Sequence, residues 1–132
     1  MITNEKQYRI TFSNESLRSG DDLNLGGVKK DEGKLRWSLL PWDAVQEVVK
    51  VLMFGAKKYD DRNWEKGMDW DRLFDADMRH KIDWWQYRET NASDSNIKHL
   101  AHMACDILFL LAYELRNIGK DTRPNVNRNR SV

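Results

Sequence analysis

The stretch SNIKHLAHMACDILFLLAYELRN, residues 95–117, decides the fold class of this chain. Its apolar residues recur at spacings of three and four, which predicts a long amphipathic helix. Gly119 follows it as a stop signal. We expect its broad buried face to consist of Leu100, Met103, Ala104, Ile107, Leu108, Leu111 and Leu115.

Two further amphipathic helices are predicted before this one. The first covers about residues 42–58, because Pro41 and Asp43 suit a first turn and apolar residues then recur at helical spacing. The second covers about residues 71–88, with an apolar side of Leu73, Ala76, Ile82 and Trp85. The sequence therefore predicts an all-α fold, a small helical bundle of about three main helices.

Outside these helices the chain is polar, and we expect three parts. Residues 1–30 form a mobile N-terminal arm with at most one short strand at residues 8–12, residues 31–118 form the helical domain, and residues 119–132 form a disordered tail. Three helices of this length leave apolar surface uncovered. We therefore expect a homo-oligomer that completes the bundle.

Composition excludes several classes of protein. The 132 residues carry a formal net charge of +1, which argues against nucleic acid or membrane as partners, so any recognition of phosphate is local. Cys105 is the single cysteine, which favours a reducing compartment. The N-terminus lacks the apolar segment of a secretory signal, and the longest apolar run is too short to span a bilayer. A cytoplasmic location is predicted.

Histidines and carboxylates fall on shared helical faces. His99, His102 and Asp106 stand at i, i+3 and i+7, within roughly 60° of one another on one face. On the second helix, Asp77 and His80 likewise stand at i and i+3. Such a face can ligate a metal or share a proton. A core histidine bonded to a neighbouring carboxylate is the alternative for His102.

Acidic and basic side chains around these helices could complete a phosphate-processing site. Carboxylates occur on the first helix at Glu47, in the second connection at Glu89 and Asp94, and on the third helix at Asp106. Packed helices would bring such groups together, and buried charges need compensation by a partner or a metal. The candidate phosphate-binding side chains are Lys34, Arg36, Lys57, Lys58 and Arg79, with solvated surface as the alternative for each.

Six tryptophans are many for this length, and a base could stack on one of them. Trp37 and Trp64 are the candidates, with packing as the alternative. The chain has no Walker A motif, no Nudix box and no adjacent His-Asp pair, which argues against three common classes of phosphohydrolase.

An ordered set of short pieces resembles one known family. The pieces are DEGKLRWSLLP at 31–41, GAKKY at 55–59, NW at 63–64, KG at 66–67, RH at 79–80, Glu89, and HLAH at 99–102. In this order they resemble the phage-type dATP/dGTP diphosphohydrolase (pyrophosphohydrolase) N-terminal domain family. The resemblance extends loosely to the MazG-like all-α nucleoside triphosphate pyrophosphohydrolases.

The resemblance implies hydrolysis of dGTP or dATP to the monophosphate and pyrophosphate with Mg²⁺ or Mn²⁺, in phage nucleotide metabolism and so in the host cytoplasm. The matched His80, Glu89, His99 and His102 become site candidates, and the wider group's use of helical carboxylates adds Glu47. The hypothesis assigns metal binding to Glu47, Glu89, Asp94 and Asp106, and catalysis to the three histidines. The alternative is a non-catalytic accessory protein that binds nucleotide or a host partner.

Overall fold

The computed structural model describes residues 26–126 of the chain. Three α-helices follow one another: α1 (Trp42–Lys58), α2 (Trp70–Trp85) and α3 (His99–Arg116). Among the described residues β-structure is limited to two isolated bridges, Asp69 with Lys120 and Asn91 with Lys98. The predicted all-α class with three main helices is confirmed. The strand predicted at residues 8–12 lies outside the described residues.

The chain divides into two compact units, residues 1–40 and 41–132. In the first unit, described from Gly26 onward, a turn at Gly33 has φ of 74° and the Lys34 N–H donates to the Asp31 carbonyl at 3.1 Å. A single 3-10 turn, Trp37–Leu39, follows it. The three α-helices all belong to the second unit.

The bounds of α1 are those predicted from sequence. Asp43 lies in its first turn, and Lys57 and Lys58 lie in its last turn. Both placements favour the helix dipole. Gly55 lies inside the helix, where nothing within 4 Å would meet an added Cβ atom, and its carbonyl accepts the closing hydrogen bond from the Tyr59 N–H at 2.9 Å.

The other two helices are shorter than predicted. α2 ends at Trp85 rather than at residue 88, and α3 begins at His99 rather than at residue 95. Arg88 and Asn96 have φ of 58° and 57°, a left-handed conformation that a right-handed helix cannot continue through. Both residues belong to the turn that connects the two helices.

The interior differs on the two sides of α3. Towards α1, Val51 packs with Ala101 and Cys105 in a small apolar cluster. Towards α2 the buried side chains include the polar Asp77, His99 and His102, and His80 of α2 contacts both buried histidines. The contact between α2 and α3 is thus partly polar, and this polar part is the position of the candidate site.

The predicted buried face of α3 is wrong. Its five large aliphatic residues are 47–78% exposed: Leu100, Ile107, Leu108, Leu111 and Leu115. The side of α3 that is buried carries instead Ala101, Cys105, Tyr113 and two histidines, because α1 and α2 both pack on that side. Ile82 and Trp85, predicted on the apolar side of α2, are 46% and 75% exposed.

Residues 118–123, which we call the clasp, bind the start of α2. The Trp70 indole N–H donates to the Ile118 carbonyl and its backbone N–H to the Lys120 carbonyl, both at 3.0 Å. The Asp71 N–H donates to the Thr122 hydroxyl oxygen at 2.9 Å, and that hydroxyl donates back to the Asp71 carboxylate at 2.8 Å. The clasp is the first part of the predicted tail, and residues 127–132 lie outside the described residues.

A glycine permits the close approach of the clasp. Gly119 has φ of 74°, and a Cβ atom there would lie 2.4 Å from the Met68 carbonyl oxygen.

No helix among residues 26–126 is both long and apolar enough to cross a membrane.

Candidate active site

The three histidines of the chain meet between α2 and α3. The Nδ1 atoms of His80 and His99 lie 2.8 Å apart. The rings of His80 and His102 are stacked, with centroids 4.5 Å apart and planes inclined by 9°. The helical spacing that suggested a shared histidine face thus corresponds to a compact cluster in the structure.

Hydrogen bonding links this cluster to Glu89 in the turn after α2. The His99 Nε2 atom lies 3.4 Å from the Glu89 Oε2 atom. Because two Nδ1 atoms share one hydrogen bond, one imidazole must donate and the other must accept. If His99 donates from Nδ1, its Nε2 lone pair faces Glu89 and can bind a cation. If His80 donates instead, the Nε2 lone pair of His80 is the one that can accept a proton.

Ser95, which the sequence reasoning did not select, fixes the orientation of His102. The Ser95 Oγ atom lies 2.8 Å from the His102 Nε2 atom, and it accepts a hydrogen bond from the Ile97 N–H at 3.1 Å. The hydroxyl proton is therefore free to be donated to His102. The only sequence signal for this contact was a serine in the turn before α3.

Burial keeps His80 and His102 neutral. Desolvation is the main cause that lowers the pKa of His80, followed by the nearby His99 ring. Desolvation also lowers the pKa of His102, and the stacked His80 ring lowers it further. The carboxylate of Asp94 opposes both shifts. Two neutral imidazoles in one cleft can accept or donate protons near neutral pH.

Three groups near His99 could hold a metal ion. Single ligand atoms of Asp83, Glu89 and His99 all lie within 4.8 Å of one another. Asp83 is half-buried and Glu89 is exposed, whereas His99 is buried. Two carboxylates with one imidazole suit Mn²⁺ well and Mg²⁺ less well. Asp83 was not among the predicted ligands, although it stands three residues after His80 on α2.

A second pair of neighbouring carboxylates, Asp77 and Asp106, comes from the same two helices. Asp77 is buried and pairs with the Lys81 ammonium at 3.1 Å. The Oδ2 atom of Asp106 is buried without a hydrogen-bond partner among the described residues. Desolvation and the neighbouring Asp77 raise the pKa of Asp106 to about 7, while Arg79 opposes the shift. Such an unpaired acceptor is costly unless a ligand satisfies it.

The predicted metal ligands are only partly brought together. Glu89 lies beside His99, while Asp94 and Asp106 line a cleft that also contains His80 and His102. Glu47 lies on α1, paired with Lys50 at 2.6 Å, and is not one of the described residues that line this cleft.

The cleft has a volume of about 1110 Å³ and is lined by five basic and six acidic side chains. Its basic side chains come from the end of α1, from the following loop and from α2, and they are Lys58, Arg62, Lys66, Arg72 and Arg79. Of the predicted phosphate-binding residues, Lys58 and Arg79 line it, whereas the exposed Lys57 does not. Lys34 and Arg36 are exposed residues of the first unit.

The loop that follows α1 lines the cleft and is held in place by aromatic contacts. Trp64 stacks on Phe109 of α3, with centroids 4.5 Å apart and planes inclined by 13°. The Tyr113 hydroxyl donates to the Trp64 carbonyl, and the Arg116 guanidinium lies 5.3 Å from the Trp64 ring centroid. The predicted base-stacking residue Trp64 thus already has ring partners. Trp37, the other candidate, is a 62% exposed residue of the first unit.

Comparison with known proteins places most of the chain in one family. Residues 25–123 match the family model described as dATP/dGTP diphosphohydrolase, N-terminal. The chain belongs to this family. The resemblance seen in the ordered sequence pieces is confirmed, and all of those pieces fall inside the matched range.

One curated relative carries the same description. It is a dATP/dGTP diphosphohydrolase of Salmonella phage PMBT28, 33% identical to this chain over 84 residues. The aligned part covers 64% of this chain but only 28% of the length of that phage protein. No solved structure gives a significant match.

Proposed function

We propose that this domain hydrolyses a purine deoxynucleoside triphosphate, dGTP or dATP, to the monophosphate and pyrophosphate with the help of a divalent cation. The observation that carries the proposal is the cleft, where the neutral imidazoles of His80 and His102 and the unpaired Oδ2 atom of Asp106 share one lining with five basic side chains. Membership of the family and the name of the phage relative support the same reaction. We place the reaction in the host cytoplasm, where deoxynucleoside triphosphates are used.

A divalent cation fits the residues that are present. Asp83, Glu89 and His99 would hold it, since their ligand atoms are already close together. Asp94 and Asp106 are separate acceptors that line the cleft, whereas the three residues of this cluster are not among its described lining. When bound, Mg²⁺ or Mn²⁺ supplies charge neutralisation at the phosphate oxygens and lowers the pKa of a bound water. Glu47 is left out of this set because it pairs with Lys50.

The histidines are proposed to handle the proton of the attacking water. A new bond forms between the water oxygen and the α-phosphorus, and the bond from that phosphorus to the bridging oxygen of the β-phosphate breaks. Pyrophosphate leaves with the bridging oxygen. His80 or His102, neutral because of burial, accepts the proton that the water loses. Ser95 orients His102, whose Nδ1 atom is free to accept this proton in the tautomer that donates from Nε2 to the Ser95 hydroxyl oxygen.

Basic side chains are proposed to hold the triphosphate. Lys58 of α1 and Arg79 of α2 both line the cleft. An arginine guanidinium can bind two phosphate oxygens at once. Lys34 and Arg36 as phosphate contacts, and Trp37 and Trp64 as contacts for the base, stay predictions from the sequence.

The test is an incubation of the full chain with each deoxynucleoside triphosphate and Mg²⁺ or Mn²⁺, with products separated by anion exchange. We expect monophosphate and pyrophosphate from a purine substrate. Glu89→Gln and His102→Ala should lower kcat by at least about 100-fold, the usual contribution of an acid–base group. The matched control is Glu114→Gln, an exposed carboxylate of α3, and it should keep full activity.

Two results would contradict the proposal. Diphosphate plus phosphate as products would mean that a different bond is cleaved. Nucleotide binding that is unchanged by a chelator, with no product under either metal, would favour the non-catalytic binding protein instead.

A further inference from the structure

The basic side chains of the cleft differ in whether an acidic partner already binds them. The Arg62 guanidinium lies 3.7 Å from the Glu65 carboxylate, so its charge is partly compensated within the loop after α1. Within the part of the chain that the structure describes, no salt bridge involves Lys66, Arg72 or Arg79. Unpaired cations that line a cleft are groups with which proteins bind phosphate oxygens.

Arg72 and Arg79 lie on the same face of α2. Their separation of seven residues places them about 20° apart around the helix and about 10 Å apart along it. Arg79 directly precedes His80, an imidazole proposed to take the proton of the attacking water, and both line the cleft. Arg79 therefore belongs to the end where the α-phosphate reacts. Arg72 lies two turns away, where a triphosphate bound along α2 has its β- and γ-phosphates.

The segment of residues 67–71 links Lys66 to Arg72 and is held by the clasp. The Met68 carbonyl accepts a hydrogen bond from the Lys120 N–H at 3.2 Å, in addition to the clasp contacts at the start of α2. Lys66 and Arg72 both line the cleft and thus flank a braced segment. A braced segment loses less conformational freedom when its cations bind an anion, which strengthens binding.

The clasp also determines which groups at the start of α2 can bind an anion. The Trp70 N–H already donates to the Lys120 carbonyl, and the Asp71 N–H donates to the Thr122 hydroxyl. The free backbone N–H groups with which other helices bind phosphate are therefore occupied at these two positions. An anion here must bind through side chains, and the Arg72 guanidinium can bind two phosphate oxygens at once.

We propose that Arg72 and Lys66 form the subsite for the β- and γ-phosphates, which leave as pyrophosphate, and that the clasp positions both side chains. This assignment rests on the proposed function, since the position of His80 sets the direction of the triphosphate. The two cations neutralise charge on the leaving pyrophosphate. A deoxynucleoside monophosphate has no phosphate that reaches them, so the subsite selects triphosphates.

The test is calorimetric binding of inorganic pyrophosphate, dGMP and dAMP to the full chain with Mg²⁺, because none of these measurements requires turnover. Arg72→Ala and Lys66→Ala should each weaken pyrophosphate binding by at least about 10-fold in Kd, the loss expected for a charge-assisted hydrogen bond, and monophosphate binding by less than about 2-fold. The matched control is Lys50→Ala. It removes the same charge from an exposed lysine of α1 outside the described lining of the cleft, and it should change no Kd.

The role of the clasp is tested at Thr122, whose hydroxyl makes both contacts with Asp71. Thr122→Val removes both hydrogen bonds and should weaken pyrophosphate binding by at least about 3-fold, whereas Thr122→Ser keeps the hydroxyl and should bind like the wild type. Asp43→Ala controls for a general loss of stability, because it removes a hydrogen bond at the start of α1, outside the described lining of the cleft. It should leave pyrophosphate binding unchanged.

Three outcomes would overturn the proposal. Pyrophosphate binding that is absent in the wild type or unchanged in Arg72→Ala would mean that this guanidinium does not contact these phosphates. Equal losses for pyrophosphate and the monophosphates would mean that the effect is not confined to the leaving group. Equal effects of Thr122→Val and Asp43→Ala would remove the clasp from the subsite. Failure of the proposed function is distinguishable: pyrophosphate would bind through Arg72, but no deoxynucleoside triphosphate would yield a monophosphate.

Discussion

Replacement of Asp106 by asparagine should make the protein more stable while it damages the site. Burial raises the pKa of Asp106 from 3.8 to about 7, so above pH 7 the folded protein holds a carboxylate that it accommodates poorly. At 1.36 kcal/mol per pH unit the full penalty is roughly 4 kcal/mol. Since the side chain is partly exposed, we reduce the expected gain for Asp106→Asn at pH 8 to about 1–3 kcal/mol.

The pH dependence follows from the sign of this shift. Between pH 4 and 7 the folded protein keeps the proton on Asp106 whereas the unfolded chain has lost it. The folded state therefore binds more protons, and this group lowers the stability of the protein as the pH rises towards 7. The gain from Asp106→Asn should be full above pH 7 and should vanish below about pH 4. The introduced amide also brings N–H donors for the neighbouring Asp77.

The assay is urea unfolding of both proteins in EDTA at pH 8 and pH 4.5, followed by circular dichroism. Asp75→Asn is the control, because Asp75 is an exposed carboxylate of the same helical pair, and it should change the free energy of unfolding by less than about 0.5 kcal/mol. If Asp106→Asn is no more stable than the wild type at pH 8, the carboxylate is not strained and the reasoning is refuted. A gain in stability with a loss of turnover would mark Asp106 as a functional residue.

Three further changes test other contacts. His102→Phe keeps a ring against His80 but removes the imidazole, whose pKa is lowered by burial. Because protonation of that imidazole destabilises the folded wild type as the pH falls, the variant should lose less thermal stability between pH 7 and pH 5. Tyr113→Phe removes the hydrogen bond to the Trp64 carbonyl and should lower the free energy of unfolding in urea by about 1 kcal/mol, whereas no change would show that the bond is not needed. Gly119→Ala places a Cβ atom against a backbone carbonyl at positive φ and should lower the free energy of unfolding by at least about 2 kcal/mol in the same assay; wild-type stability would contradict the tight approach.

The helices of this chain were predictable because each has a periodic apolar pattern, but the packing of α3 was not. α3 carries apolar residues on nearly its whole circumference, so periodicity identified the helix without deciding which side meets α1 and α2. The prediction therefore assigned the core side to the face of α3 with the most aliphatic residues. The core side is formed instead by small or amphipathic residues such as Ala101, Cys105 and Tyr113, which allow close packing against two helices.

Part of the histidine cluster was also predictable, since helical spacing placed His99 and His102 on one face of α3, whereas spacing could not tell that His80 of α2 meets them. Asp83 and Ser95 were missed for a different reason. Both contacts depend on the turn between α2 and α3, which folds back so that the Glu89 N–H donates to the Asp83 carbonyl at 3.0 Å. Left-handed residues such as Arg88 and Asn96 set that path, and sequence patterns do not reveal left-handed conformations in residues other than glycine.

The clasp couples local unfolding at the start of α2 to local unfolding at the end of α3. Trp70 begins α2 and Lys120 follows α3, yet their backbones share a hydrogen bond at 3.0 Å. Fraying at either end must therefore break the same contacts, so the amide hydrogens of both segments should exchange with solvent in one cooperative opening. The carboxy-terminal side of α3, which by its position alone would be the first part to fray, then exchanges as slowly as the start of α2.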